Sequence, residues 1–261
     1  MKRPSLTKIN IHEHKIKEQI RTHKFGQIRP QVRIDSEGRR LIPVGKTLYS
    51  TDSECRFSPD FLLNFVPLLF GREWWKSELR KSEGLQHQAC LWRAKAWEYR
   101  ERHPQNEGGV FSMKPNGFMA AYLNLAYDLY VVADNSVLSD RTLARLKHVD
   151  QFQGARHELF AEATCLRAGF QVTHEDEKDS LTRHVEFTAT HKTTGQKISV
   201  EAKSRHRRGV LGFSGFSKSN QKIKLDFSSL VRKAVRKSPP HPLAIFLDTN
   251  LPPETADEVF P

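Results

Sequence analysis

From residue 152 the chain reads FQGARHELFAEATCLRAGF, and its apolar positions fall at helical spacing. Ala155, Leu159, Ala163 and Leu166 recur every three or four residues and make one stripe. Gly169 stands where such a helix stops, because glycine takes the left-handed conformation that closes a C-terminus. The period then changes. FQVTHE (170–175) reads as a strand. In HVEFTATH (184–191), Val185, Phe187 and Ala189 fall on one face, with Glu186, Thr188 and Thr190 on the other. Thr194-Gly195 predicts a two-residue hairpin turn, and QKISVEAK (196–203) returns as the next strand. That turn pairs Thr193 with Gln196, Thr188 with Glu201 and Glu186 with Lys203. A Gly/Ser-rich basic stretch, RHRRGVLGFSGFSKSN (205–220), follows. DFSSLVRKAVRK (226–237) then predicts a helix stopped by Ser238-Pro239-Pro240, and PLAIFLDTN (242–250) predicts a buried strand. The predicted order from residue 149 is α-β-β-β-α-β.

The preceding part, 1–148, is patterned mainly as helix. Residues 1–30 are polar and basic and predict an arm or a short helix. VRI and RLIPVG flank a turn signal, Ser36-Glu37-Gly38. Helical patterns begin at Ser58-Pro59-Asp60 and continue through FLLNFVPLLF, REWWKSELRKSE and LQHQACLWRAKAWEYRERH. HPQNEGG (103–109) predicts a linker. GFMAAYLNLAYDLYVVADN (117–135) predicts a long helix, and Ser139-Asp140 caps a short one running to Lys147. The expectation is an α/β protein: an α-rich N-terminal region over 1–148 and an α/β domain over 149–261.

With 38% apolar and 28% charged residues, the 261-residue chain has enough apolar surface to bury a core and is not of disordered composition. The net charge of +12 favours a polyanionic partner, nucleic acid before an acidic membrane surface. The apolar run FLLNFVPLLF (61–70) is about half the length needed to span a bilayer. The N-terminal stretch carries charges throughout and has no apolar core, so it does not read as a signal peptide. Cys55, Cys90 and Cys165 are odd in number and far apart, which supports neither a disulfide framework nor a zinc site and fits a reducing cytoplasm.

The basic surplus is concentrated. From Glu201 to His241 there are eleven Lys and Arg residues against two acids. Arg205, Arg207, Arg208, Lys218 and Lys222 fall in or beside the Gly-rich stretch and are candidates to contact a nucleic-acid backbone.

Glu201 and Lys203 share a strand face, and the hairpin brings Glu186 alongside them. Two carboxylates are hard oxygen ligands for Mg²⁺ or Mn²⁺, with Glu186 and Glu201 as the metal candidates. A nearby ammonium orients a water or steadies charge on a phosphate. Glu158, on the helix beside the Leu159 stripe, is a candidate third acid, with Glu162 one turn further on as its rival. The triplet acid-x-Lys occurs three times, at Glu13, Asp176 and Glu201; only the third ends an apolar strand after a hairpin turn and behind an amphipathic helix.

In that context HELFAEATCLRAGF (157–170), HVEF (184–187), VEAKSR (200–205) and LAIFLDTN (243–250) resemble the PD-(D/E)XK nuclease superfamily, whose fold is restriction-endonuclease-like. The resemblance covers a little over a third of the chain. By position it implies that Glu158 is the helix acid, that Glu186 holds the place of the family's aspartate, and that Glu201 and Lys203 are its E-x-K. Glu186 is longer than the usual aspartate, and Val185 replaces the usual proline before it; Asp179 is the alternative acid. The implied activity is metal-dependent phosphodiester hydrolysis, most simply by a DNA endonuclease in DNA processing, mobile-element biology or defence, with a protein partner or a second copy compatible. Two other readings are a nucleic-acid-binding protein of the same fold without catalysis, and an interaction protein whose basic surface meets an acidic partner.

Overall fold

The computed structural model describes residues 11–26, 28, 31–36, 38–52, 55, 58–103, 110–174, 185–206 and 227–250, with the side chains of 11–14, 24 and 25 excepted. The expected linker at 104–109, Asp179 and the loop bearing Arg207, Arg208, Lys218 and Lys222 lie outside the described residues.

The fold is mixed α/β with two sheets. Helix α1 (Ile11–Phe25) precedes three short antiparallel strands, β1 (Ile34–Ser36), β2 (Arg39–Val44) and β3 (Thr47–Asp52). The N-terminal region is therefore less purely helical than its patterning suggests. Strand β3 was not anticipated, although its signal is present: Val44 pairs with Thr47 across a two-residue Gly45-Lys46 turn, with Gly45 at φ 57°. A side chain on Gly45 would strike the Ala133 carbonyl, and the Gly45 N–H donates to Asp134, so this turn is pinned to the helix beneath it.

Helices α2 (Ser58–Phe70), α3 (Arg72–Leu79), α4 (Gln88–Glu101), α5 (Gly117–Asn135) and α6 (Asp140–Lys147) follow where periodicity placed them. Ser139 caps α6 as expected, accepting from the Thr142 N–H at 3.0 Å. Pro67 lies inside α2 and cannot donate to the Leu63 carbonyl. That carbonyl instead accepts from Tyr122 Oη at 2.9 Å and Arg93 Nε at 3.0 Å, which fastens α2 to α5 and α4. Of the four tryptophans, Trp75 and Trp92 are buried in this helical core, with Trp74 and Trp97 packed against it.

Helix α7 (Val149–Arg167) is shared between two apolar cores. Its predicted stripe, Ala155, Leu159, Ala163 and Leu166, faces the N-terminal helices. Ala161 and Cys165, on another face, pack against the second sheet with Phe187, Ala189, Val200 and Ala202. Gly169 ends the helix at φ 91°, its N–H donating to the Leu166 carbonyl.

The second sheet has the order β4-β5-β6-β7, formed by β4 (Phe170–His174), β5 (Phe187–His191), β6 (Lys197–Ser204) and β7 (Leu243–Asp248). The first three are antiparallel; β7 runs parallel to β6 after helix α8 (Phe227–Val235). The order from α7 onward is thus α-β-β-β-α-β. Strand β7 is half-buried rather than buried, because it is the sheet's edge.

The hairpin register differs from the expected one by two residues. Thr188 pairs with Ser199 and Phe187 with Val200. His191 donates to the Gln196 carbonyl, so the loop is the four residues Lys192–Gly195 and not Thr194-Gly195 alone. Thr194 is drawn back by its N–H and hydroxyl to His191 Nδ1, and Gly195 N–H bonds the His191 carbonyl. A shift of two leaves every side chain on its original face. It does move Glu186 from opposite Lys203 to opposite Glu201, one step beyond the last regular pair.

Candidate metal and nucleic-acid site

Glu201 lies in the middle of β6, between β5 and β7, and is 0% exposed. A buried carboxylate requires compensating charge. Two ammonium groups supply it. Lys203, two residues on and on the same face, pairs with Oε1. Lys237 arrives from the turn that follows α8, with Nζ 2.8 Å from both Oε1 and Oε2. The sequence marks Lys237 only as one base among many. Its role depends on how α8 returns over the sheet, which no local pattern encodes.

Glu186 sits at the entrance to β5, its N–H donating to the Val200 carbonyl at 3.0 Å. Burial raises its carboxyl to about 7, and the negative charges of Glu158 and Glu201 push the same way; Lys237 and Lys203 act against them. Glu158 and Glu201 are therefore both near neighbours of Glu186. Of the four residues assigned to the centre, Lys203 and Glu201 are in direct contact, Glu186 stands opposite Glu201 one step beyond the last β5–β6 pair, and the charge of Glu158 acts on Glu186.

Glu158 is anchored from outside the α/β unit. Arg145 on α6 meets it with both guanidinium nitrogens, Nη2 reaching Oε1 at 2.7 Å. Glu158 and Glu186 together hold the Arg145 guanidinium above its ordinary pKa. The rival acid, Glu162, is 6% exposed and faces β4, where His174 Nε2 lies 3.2 Å from its Oε2. Glu162 Oε1 has no hydrogen-bond partner among the described residues. His174 is raised by this hydrogen bond to Glu162 against the cost of burial, and a bond to the Glu186 backbone adds to the rise. Neither Arg145 nor His174 carries a sequence signal, since each meets its partner only through tertiary packing.

Arg205 is half-buried and tied back, its Nη2 donating to Ser229 on α8. The exposed bases nearby are instead Arg232 and Lys233 on α8, which buries Leu230 and Ala234, and Arg236 in the turn just after it. Among the described residues no group of three or more His, Cys, Asp and Glu is disposed to hold a metal, and no helix is long and apolar enough to cross a membrane. The chain matches no protein-family model, no curated protein and no solved structure.

Proposed function

We infer that the chain is a Mg²⁺- or Mn²⁺-dependent nuclease acting on DNA, built on a restriction-endonuclease-like core. One observation carries this reading: Lys203 and Glu201 are in contact on β6, Glu186 faces Glu201 across the β5–β6 pair, and the charge of Glu158 acts on Glu186. The donor set suits the ion. The Glu186 carboxyl is raised to about 7 by burial and by the charges of Glu158 and Glu201, so a cation beside it would favour the ionised form that the empty fold disfavours. Mg²⁺ characteristically takes one or two carboxylates and fills its remaining positions with water and phosphate oxygens, so a larger protein cluster is not required. When bound, the cation would neutralise charge on the phosphate and acidify a water.

The chain's own groups have distinct tasks in this reading. Glu186 and Glu201 present oxygen donors. Lys203, further along the same strand face, hydrogen-bonds the attacking water or a phosphate oxygen. Glu158, held by Arg145, fixes the charge behind Glu186. Arg207, Arg208, Lys218 and Lys222, with the exposed Arg232, Lys233 and Arg236, hold the nucleic-acid backbone, and Arg205, which bonds Ser229, joins them only by leaving that partner. The three buried, unpaired cysteines suit a reducing compartment such as the cytoplasm.

A second reading, a nucleic-acid-binding protein of the same architecture without catalysis, is favoured by the pairing of Glu201 with two ammonium groups. Incubation of supercoiled plasmid and of single-stranded DNA with Mg²⁺ or Mn²⁺ separates the two. The wild type is expected to cut only with cation, and Lys203→Ala is expected to bind without cutting. Cutting by Lys203→Ala, or none by wild type with either cation, overturns the nuclease assignment. Salt-sensitive binding retained in that case selects the second reading.

A further inference from the structure

Lys237 occupies an unusual position for a basic residue. It lies in the turn after α8, with its backbone N–H bonded to the Ala234 carbonyl. It points inward to a fully buried carboxylate, while the three bases before it, Arg232 and Lys233 on α8 and Arg236 in the same turn, are exposed. Lys203 already supplies Glu201 with one positive charge. Lys237 is a second, delivered from a different element, and it touches both oxygens that a cation would need.

We propose that Lys237 is a positioning residue linking cation binding at Glu201 to nucleic-acid binding along α8: it is the counter-ion that an arriving divalent cation displaces, and once displaced it joins the basic row of α8 as a phosphate contact. This rests on the metal-site reading above. Without a cation, Lys203 and Lys237 together compensate the carboxylates Glu201 and Glu186, so the two ammonium groups keep the empty site near neutral. With a cation present, the ammonium and the metal compete for the same two oxygens. A lysine suits this exchange because its ammonium is a point charge on a flexible stem and does not lock both oxygens in a planar fork. Displaced from Glu201, it has Arg236 beside it in the chain and the phosphate-binding face of α8 within one helical turn.

The consequences differ from those of a structural lysine. Mn²⁺ binding to the DNA-free protein, followed by electron paramagnetic resonance, is expected to tighten about tenfold in Lys237→Met, the scale of one opposite charge removed from ion-pair distance. It is expected to stay unchanged in Lys233→Met, which is exposed on α8 one turn before Lys237. Lys237→Arg, whose fork grips both oxygens, is expected to weaken Mn²⁺ binding; it also serves if Lys237→Met does not fold. DNA affinity supplies a second readout. Lys237→Met is expected to lower it only when Ca²⁺ is present, whereas Lys233→Met lowers it with or without the ion. If Glu201→Gln leaves Mn²⁺ binding intact, or wild type binds no Mn²⁺, the metal-site reading fails and this inference with it. If Mn²⁺ binds through Glu201 but Lys237→Met binds it no better than wild type, or loses DNA affinity equally without the ion, the inference fails and the metal site stands.

Discussion

Arg145 and Glu158 are joined by a two-pronged ion pair that ties α6 to α7, with Arg145 Nη2 2.7 Å from Glu158 Oε1. The helix acid of the candidate centre is thus set by a residue of the N-terminal helical region. Arg145→Met frees the Glu158 carboxylate to swing and removes a positive charge from the field of Glu186. Groups that orient ligands from behind typically change affinity or activity by about 10–100-fold, and a loss of that order in DNA cleavage is expected. Arg145→Lys should recover only part of it, because an ammonium cannot match both oxygens. Thermal unfolding should fall only modestly in either variant, since both side chains remain partly exposed. Wild-type cleavage by Arg145→Met would show that the placement of Glu158 is not used.

The Leu63 carbonyl gives a separate handle on stability. Pro67 leaves it without its helical donor, and Tyr122 Oη supplies the replacement from a fully buried position. Tyr122→Phe removes the hydroxyl and keeps the ring. Arg93 still donates to the same oxygen, so the expected cost is about 1 kcal/mol in urea unfolding. Adding Arg93→Met should cost more than the two single changes together, because only then does the carbonyl lose both of its donors. Simple additivity would mean that water takes over the carbonyl.

The reach of the sequence follows from which interactions are local. The faces of β5 and β6 were legible because alternation survives any even shift in register, so Glu186, Glu201 and Lys203 fell on one side although the pairing moved by two. The shift itself was not legible. It depends on His191 capturing Thr194, a side-chain hydrogen bond that makes four residues turn where two suffice. The stripe of α7 was visible, but not that it would face the N-terminal helices and leave Ala161 and Cys165 to the sheet. Lys237, Arg145 and the Glu162–His174 pair were invisible because each joins elements that only the assembled fold brings together. Strand β7 was overestimated in burial, since an apolar run does not distinguish an edge strand from a central one.

Nucleic-acid binding should depend on salt in proportion to the phosphates neutralised. If about five bases engage duplex DNA, the log–log slope of affinity against salt is roughly −4 to −5. A residue-level test is possible at α8 and the turn after it, because Arg232, Lys233 and Arg236 are exposed and Leu230 and Ala234 hold the helix down. Each single alanine substitution at those three positions should lower affinity evenly across sequences and flatten the slope by about one unit. Fluorescence anisotropy across a potassium chloride series reads both quantities. Slopes unchanged in all three variants would place the nucleic acid elsewhere on the surface.

Two groups, Glu186 in the centre and His174 on neighbouring β4, make stability fall as pH rises. The Glu186 carboxyl, moved from 4.5 to about 7 by burial and by the charges of Glu158 and Glu201, holds its proton in the fold over a range where the unfolded chain has released it. Its ionisation therefore opposes folding, up to a limit of about 3 kcal/mol that develops between roughly pH 5 and 7. His174 acts with the same sign. Its folded value is raised by Glu162, so its contribution is complete below the ordinary imidazole value and is lost as pH climbs through the raised one. Urea unfolding in chelator should accordingly show stability declining from about pH 5 to 8. Glu186→Gln should remove most of that decline, and His174→Gln should flatten only its upper part. Mn²⁺ should restore stability at the alkaline end in wild type and not in Glu186→Gln, because a cation favours the ionised carboxylate that the empty fold disfavours. A decline that persists in full in Glu186→Gln would assign the titration to other groups and remove Glu186 from the centre.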